Sequence, residues 1–364
     1  MSYRTFLLKI LPAFRARDAI RTDMKEHFDH LENRLNELER KNEYLFYCLQ
    51  HVTGETEMET KQRVLLGLPK ASGRIADFQL VSNYILMRVK KICDENGIAF
   101  ALCGGTLLGA VRHHGYIPWD DDVDIDILRS DFYRLEELIN KDSELVMQRY
   151  YKYSYDGSEA RYIPRIKLKR SDVFFVDVFP LDYVSVEPGC EAETLKEIDA
   201  LCREYSGKLM QIFKKHDVSF RGVEKAMANP EMDTEVIALE KEYLALYGSR
   251  FLLGNHEAHF TRAIGNDSWL RSIYGIQASE EYLPFEHNAV VFEGEWYDTF
   301  KNHDKILKYQ YGDYWSLPHT LKQKHDYEIK EYTAEDMAVI EDVRAINASR
   351  SCKPVIPSYP EKNS

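Results

Sequence analysis

Residues 104–128 read GGTLLGAVRHHGYIPWDDDVDIDIL, and five aspartates fall between positions 120 and 126. Like charges at this density repel, and aspartate is a poor strand former. Yet Val123, Ile125 and Ile127 alternate with acids as they would in a half-buried strand. Read as a strand over 122–128, the stretch puts Asp122, Asp124 and Asp126 on one face and the aliphatics on the other. Two carboxylates one strand repeat apart, about 7 Å at the backbone, can converge on a hard divalent cation such as Mg²⁺ or Mn²⁺. The plain alternative is a solvated acidic edge, since charge also blunts edge strands.

The residues before this strand sharpen the choice. Gly104, Gly105 and Thr106 follow a short apolar strand, IAFAL (98–102), and open a helix over 107–112. Backbone N–H groups and the helix dipole at such a turn can receive a phosphate. A glycine pair alone is common loop punctuation; next to a D-x-D strand it becomes half of a metal-plus-phosphate site. A third carboxylate is then wanted on a neighbouring strand. Asp177 in FFVDVFPLD (174–182) fits, as a lone charge among Val176, Val178 and Phe179. Asp182, beyond Pro180, is expected to cap a turn. Arg112 is placed to clamp a phosphate with its guanidinium; a helix-end salt bridge is the alternative. Lys167 and Lys169 share one strand face and are weaker phosphate candidates.

The chain has 364 residues, 44% of them hydrophobic, which is enough for a real core. Its net charge of −12 argues against nucleic acid as the main partner. Six scattered cysteines with no C-x-x-C pair, and no secretory leader, lead to an expectation of free thiols in a reducing cytoplasm. No apolar run reaches the roughly 18 residues that span a bilayer.

Met24, Phe28, Leu31, Leu35, Leu38, Asn42, Leu45, Leu49 and Val52 repeat at alternating spacings of four and three. This heptad makes a homo-oligomeric coiled coil the expectation for residues 24–52, with Asn42 at an a position setting register. Arg34 at g can meet Glu39 at e of a parallel partner. The alternative is one amphipathic helix folded on its own domain. Residues 1–20 mix apolar and basic side chains, which suits either peripheral contact with the inner membrane face or a docked helix. The organisation expected is a helical segment over 1–60, a linker over 61–73, a catalytic domain over 74–335 with a helical insertion near 190–270, and a C-terminal helix and tail over 336–364. Strands are expected near 98–102, 122–128, 162–168 and 173–179, with Asn96-Gly97 ending the helix before the first.

The 104–128 block resembles the signature of the LicD family, and FVDVFPLD resembles that family's second acidic block. FEHNAVVFEGEWYDTFKNHDKILKYQYGDYWSLP (285–318) resembles its closing block. The three blocks lie in the family's order, across roughly residues 75–320. The resemblance implies a mixed α+β fold: a nucleotidyltransferase-like core with a small mixed sheet and flanking helices. It assigns Asp122, Asp124 and Asp177 to metal binding and catalysis, and Gly104, Gly105 and Thr106 to phosphate contact. The wider superfamily keeps its glycine turn closer to the D-x-D pair, so Asp124 with Asp126 stands as the alternative metal pair. It further implies metal-dependent transfer of phosphocholine from CDP-choline to a hydroxyl of a cell-surface glycan; the chemistry then asks one carboxylate to take the acceptor's proton, with Asp177 the first candidate. Another phospho-alcohol from its CDP-alcohol, or a non-catalytic coiled-coil scaffold, are the rivals. A quaternary ammonium also wants an aromatic cage, and YYKYSY (150–155) and YGDYWSLP (311–318) are the aromatic-rich runs.

Overall fold

A computed structural model describes residues 24–350 apart from 26, 28–29, 32–33, 36, 39, 43–44, 155–156, 219–229, 252–258, 263–274, 279–281, 284, 286–287 and 317–331. The N-terminal basic segment, Phe28 and Glu39 therefore lie outside the described residues. The chain divides into two units, residues 1–64 and 65–364.

In the first unit every described position from 24 to 50 is helical (α1). Its heptad residues Met24, Leu31, Leu35, Leu38, Leu45 and Leu49 are 53–79% exposed, an apolar stripe facing solvent. A second helix, α2 (Glu57–Leu66), begins within the expected helical segment, runs into the expected linker and opens on a reciprocal cap. There the Thr56 N–H donates to the Glu59 carboxylate at 2.7 Å, and the Glu59 N–H donates to Thr56 Oγ1 at 3.2 Å.

The second unit is built on a mixed sheet with flanking helices, as the sequence pattern requires. Helix α3 (Gly73–Asn96) buries Phe78, Val81, Ile85, Val89 and Cys93 at helical spacing, and Gly97 ends it in the left-handed region at φ 61°. Then come β1 (Phe100–Leu102), α4 (Gly104–His113), β2 (Asp124–Leu128), α5 (Arg129–Lys141), β3 (Leu145–Tyr153), β4 (Ala160–Leu168) and β5 (Phe175–Val184). Helices α6 (Glu191–Lys215) and α7 (Pro230–Phe251) follow, then β6 (His259–Arg262) and β7 (Gln277–Ala278). The described residues end with the hairpin β8 (Asn288–Phe292) and β9 (Glu295–Thr299), then α8 (His303–Tyr311) and α9 (Ala334–Arg350).

The sheet order is β1-β2-β5-β4-β3, with β6 beside the second half of β5 and β7 beyond it. Only β2 and β5 run parallel among these pairs. Ile125, Ile127, Val176 and Val178 are fully buried on one face of that pair. Burying each such side chain stabilises the fold by about 1.5–3 kcal/mol.

Three expectations are corrected. The acidic strand starts at Asp124, so Asp122 belongs to the preceding turn. Asp182 caps no turn: it lies inside β5, 2% exposed, paired with Arg129 at the start of α5. Strand β3 was not expected, and with β4 it forms the longest ladder, Leu145↔Leu168 to Tyr153↔Ala160. Helices α6 and α7 and strand β6 fall within the span of the expected insertion, and a second core joins Tyr151 and Tyr162 to Tyr205, Phe213 and Tyr243.

Candidate active site

The glycine turn and the acidic strand meet directly. Gly104 sits at φ 55°, and a Cβ there would lie 3.0 Å from Asp124 Oδ2. A Cβ on Gly105 would lie 2.9 Å from Asp120 Oδ2. Two bare glycines thus let two carboxylates approach the N-terminus of α4, where the helix dipole is positive. The neighbouring Thr106 is buried, and its Oγ1 accepts the Asp124 N–H at 2.9 Å, locking the first strand residue to the first helical turn.

Register supplies the next acid. Asp124 on β2 is the direct neighbour of Asp177 on β5, and the Asp177 N–H donates to Val123 O at 2.7 Å. Asp177 is 4% exposed and bound by Arg165 of β4, Nε to Oδ1 at 2.6 Å and Nη2 to Oδ2 at 3.2 Å. The turn before the strand holds the rest: ligand oxygens of Asp120, Asp121 and Asp122 lie within 4.8 Å of one another. That turn is fixed from two sides. Gln79 of α3 donates to the carbonyls of Ile117 at 3.2 Å and Asp120 at 2.9 Å. Glu293, at the tip of the β8–β9 hairpin, accepts the Tyr116 N–H at 3.2 Å and fills the space a Cβ on Gly115 would need.

The candidate residues thus fall into groups. Asp122 joins Asp120 and Asp121 in the turn, while Asp124 joins Asp177 across the parallel pair. Asp126 lies two residues further along β2 on the same face, fully buried beside Ala101 and Phe179. Arg112 is far along α4 from the glycine turn. Burial lowers it to about 10 against an opposing pull from Asp313, and its Nε and Nη2 have no hydrogen-bond partner among the described residues. Lys167 is buried but tied to Asp172 at 2.5 Å, and Lys169 reaches the Asp142 carbonyl at 2.5 Å. Neither lysine is brought to the aspartates.

Tyr311, from the closing block, is brought there. Burial, and then the carboxylates of Asp124, Asp120 and Asp122, push its phenol well above the ordinary tyrosine range. Lys152 of β3 also belongs to the site. Burial and the Arg161 charge lower it to about 8, while Asp177 and Asp122 pull the other way. Asp126 is fully buried, whereas Asp122 and Asp124 are half-buried. Among the described residues of the YYKYSY run, Tyr150 stacks on Arg165, Tyr151 is buried in the second core, and the Tyr153 hydroxyl bonds the Val218 carbonyl.

A profile of the LicD/FKTN/FKRP nucleotidyltransferase domain matches residues 97–222, the stretch that runs from just before β1 through the glycine turn and Asp177. Residues 97–222 form a LicD-family nucleotidyltransferase domain. Among its relatives is the lipopolysaccharide cholinephosphotransferase LicD of Haemophilus influenzae, 25% identical over 267 residues, which are 68% of this chain and 93% of that protein. An uncharacterized protein of Rickettsia prowazekii is 36% identical over 115 residues, 30% of this chain and 39% of its own length. The ribitol 5-phosphate transferase FKRP of Mus musculus is 45% identical over 47 residues, 13% of this chain and 10% of that protein.

Sequence reasoning missed Asp120, Gln79, Arg165 and Lys152 as site residues. Asp120 was the one within reach, because it precedes the D-x-D pair in the same acidic run. The others are joined to the site only by topology.

Proposed function

We propose that this LicD-family transferase moves a phospho-alcohol from a CDP-alcohol to a hydroxyl of a cell-surface glycan, releasing CMP, with phosphocholine as the first donor group to try. The observation that carries the proposal is the approach of Asp124 and Asp120 to the bare Gly104-Gly105 turn at the N-terminus of α4. That pairing suits a ligand carrying both phosphate and cation. The names of the Haemophilus and mouse relatives both describe transfer of a phosphorylated alcohol, one on lipopolysaccharide.

The donor set suits a hard divalent cation, Mg²⁺ or Mn²⁺, which neutralises charge on a diphosphate when bound. Asp122 and Asp124 would hold it, with Asp120 and Asp177 adjacent. First-turn N–H groups of α4 would receive phosphate oxygens. The acceptor oxygen forms the new P–O bond as the bond to CMP breaks. Its proton goes to a carboxylate, and Asp177 retains one lone pair per oxygen outside its Arg165 pair. Tyr311, 40% exposed beside the acids, offers a ring to a quaternary ammonium. The five described cysteines are all free thiols, which suits a cytoplasmic reaction. Among the described residues no helix is long and apolar enough to cross a membrane.

The test is incubation with Mg²⁺, a glycan acceptor and a panel of CDP-choline, CDP-ethanolamine, CDP-ribitol and CDP-glycerol, following CMP. Release with one donor, lost in the Asp122→Asn/Asp124→Asn variant, supports the proposal. No CMP from any donor, or unchanged release from the variant, refutes it and favours the scaffold reading.

A further inference from the structure

Strands β3 and β4 put Lys152 directly opposite Arg161. Arg165 stands four residues along β4 from Arg161 and opposite Asp177, so all four share one face of the sheet. Two like charges paired directly across strands destabilise a hairpin. Arg165 has its counter-charge in Asp177. Lys152 does not: it makes no hydrogen bond or ion pair with the described residues, although it is only half-exposed. It shares the sheet face that carries Asp177, and the charges of Asp177 and Asp122 act on its ammonium.

We propose that Lys152 and Arg161 form the subsite for the phosphate that stays on the departing nucleotide. The inference rests on the phospho-alcohol transfer reading above. The acids and the α4 N-terminus suit the phosphorus under attack. Negative charge accumulates on the oxygen that leaves with CMP, and a fixed cation there acts most strongly as the bond breaks. An anion between Lys152 and Arg161 also lowers the repulsion between these two cross-strand neighbours. A lysine serves as a compact point charge for this purpose.

The experiment measures binding of CMP, cytidine and phosphocholine by calorimetry in EDTA, so that no metal-bound phosphate contributes. The wild-type chain should bind CMP at least ten times more tightly than cytidine. Lys152→Met should erase that advantage without lowering the melting temperature, because the repulsion goes with the charge, and Lys152→Arg should restore it. Equal affinity for CMP and cytidine in the wild type overturns the proposal, as does loss of phosphocholine rather than CMP binding in Lys152→Met. So does a fall in melting temperature that Lys152→Arg does not repair. If no CDP-alcohol turns over while CMP binding still depends on Lys152, the transfer reading fails and the subsite stands. If turnover occurs and Lys152→Met keeps the wild-type KM for donor, the subsite alone fails.

Discussion

Arg165 holds Asp177 by two hydrogen bonds while its guanidinium lies between the rings of Tyr150 and Phe175, 3.7 and 3.6 Å from their centroids. The rings leave the guanidinium edge free to point at one carboxylate, so the acid cannot rotate. Removing either partner leaves a buried charge alone. Arg165→Met should cost about 3–5 kcal/mol, read by urea denaturation, and should abolish transfer. Arg165→Met with Asp177→Leu should recover most of the stability and none of the activity.

Gly104→Ala strains a left-handed residue and crowds Asp124. It should cost roughly 1–2 kcal/mol in stability yet lower kcat by a hundredfold or more. Gly105→Ala, whose backbone is unstrained, should leave the melting temperature nearly unchanged and still impair donor binding, because its new methyl meets Asp120. Circular dichroism melts and steady-state kinetics on both variants check the contrast.

The solvent-facing stripe of α1 should join two copies in parallel. Arg34 at g meets Glu39 at e across such a pair, whereas an antiparallel pair sets g against g. Light scattering on the full chain should give a dimer mass. Leu35→Glu with Leu38→Glu should give a monomer that keeps its activity, and a monomeric wild-type chain would sink the proposal.

His113 offers a pH signature. Burial, and then the Arg112 charge, lower its imidazole to about 4, although its Nδ1 contact with the Leu65 carbonyl at 2.9 Å opposes this. The folded value lies below the unfolded value of 6.5, so the unfolded chain takes the proton first. This contribution to stability is complete above pH 6.5 and is lost as the pH falls towards 4. Chemical denaturation between pH 7 and pH 4 should show a steeper loss for the wild-type chain than for His113→Gln.

The core of the site was legible because its chemistry is local. A glycine turn, a helix and an acid-aliphatic alternation lie within 25 consecutive residues, 104–128. Asp177 was legible because a single charge among large aliphatics needs a reason. Strand β3 was not, since Gln148, Arg149 and Lys152 break the apolar alternation that marks a strand. Their role emerges only when one face is covered by α6 and α7 and the other by the site. Asp182 was misread because Pro180 looks like a strand break; its missing N–H is tolerated where the neighbouring ladder does not need it. Arg165 and Lys152 depend on cross-strand register, which no local pattern encodes.

Glu293 and the bend at Tyr116 are tied across 177 positions of chain. The smallest piece that carries all the acids is therefore not the smallest piece that works. A fragment ending at residue 222, where the family profile stops, keeps Asp120 to Asp126 and Asp177 but loses the hairpin that shapes the loop presenting them.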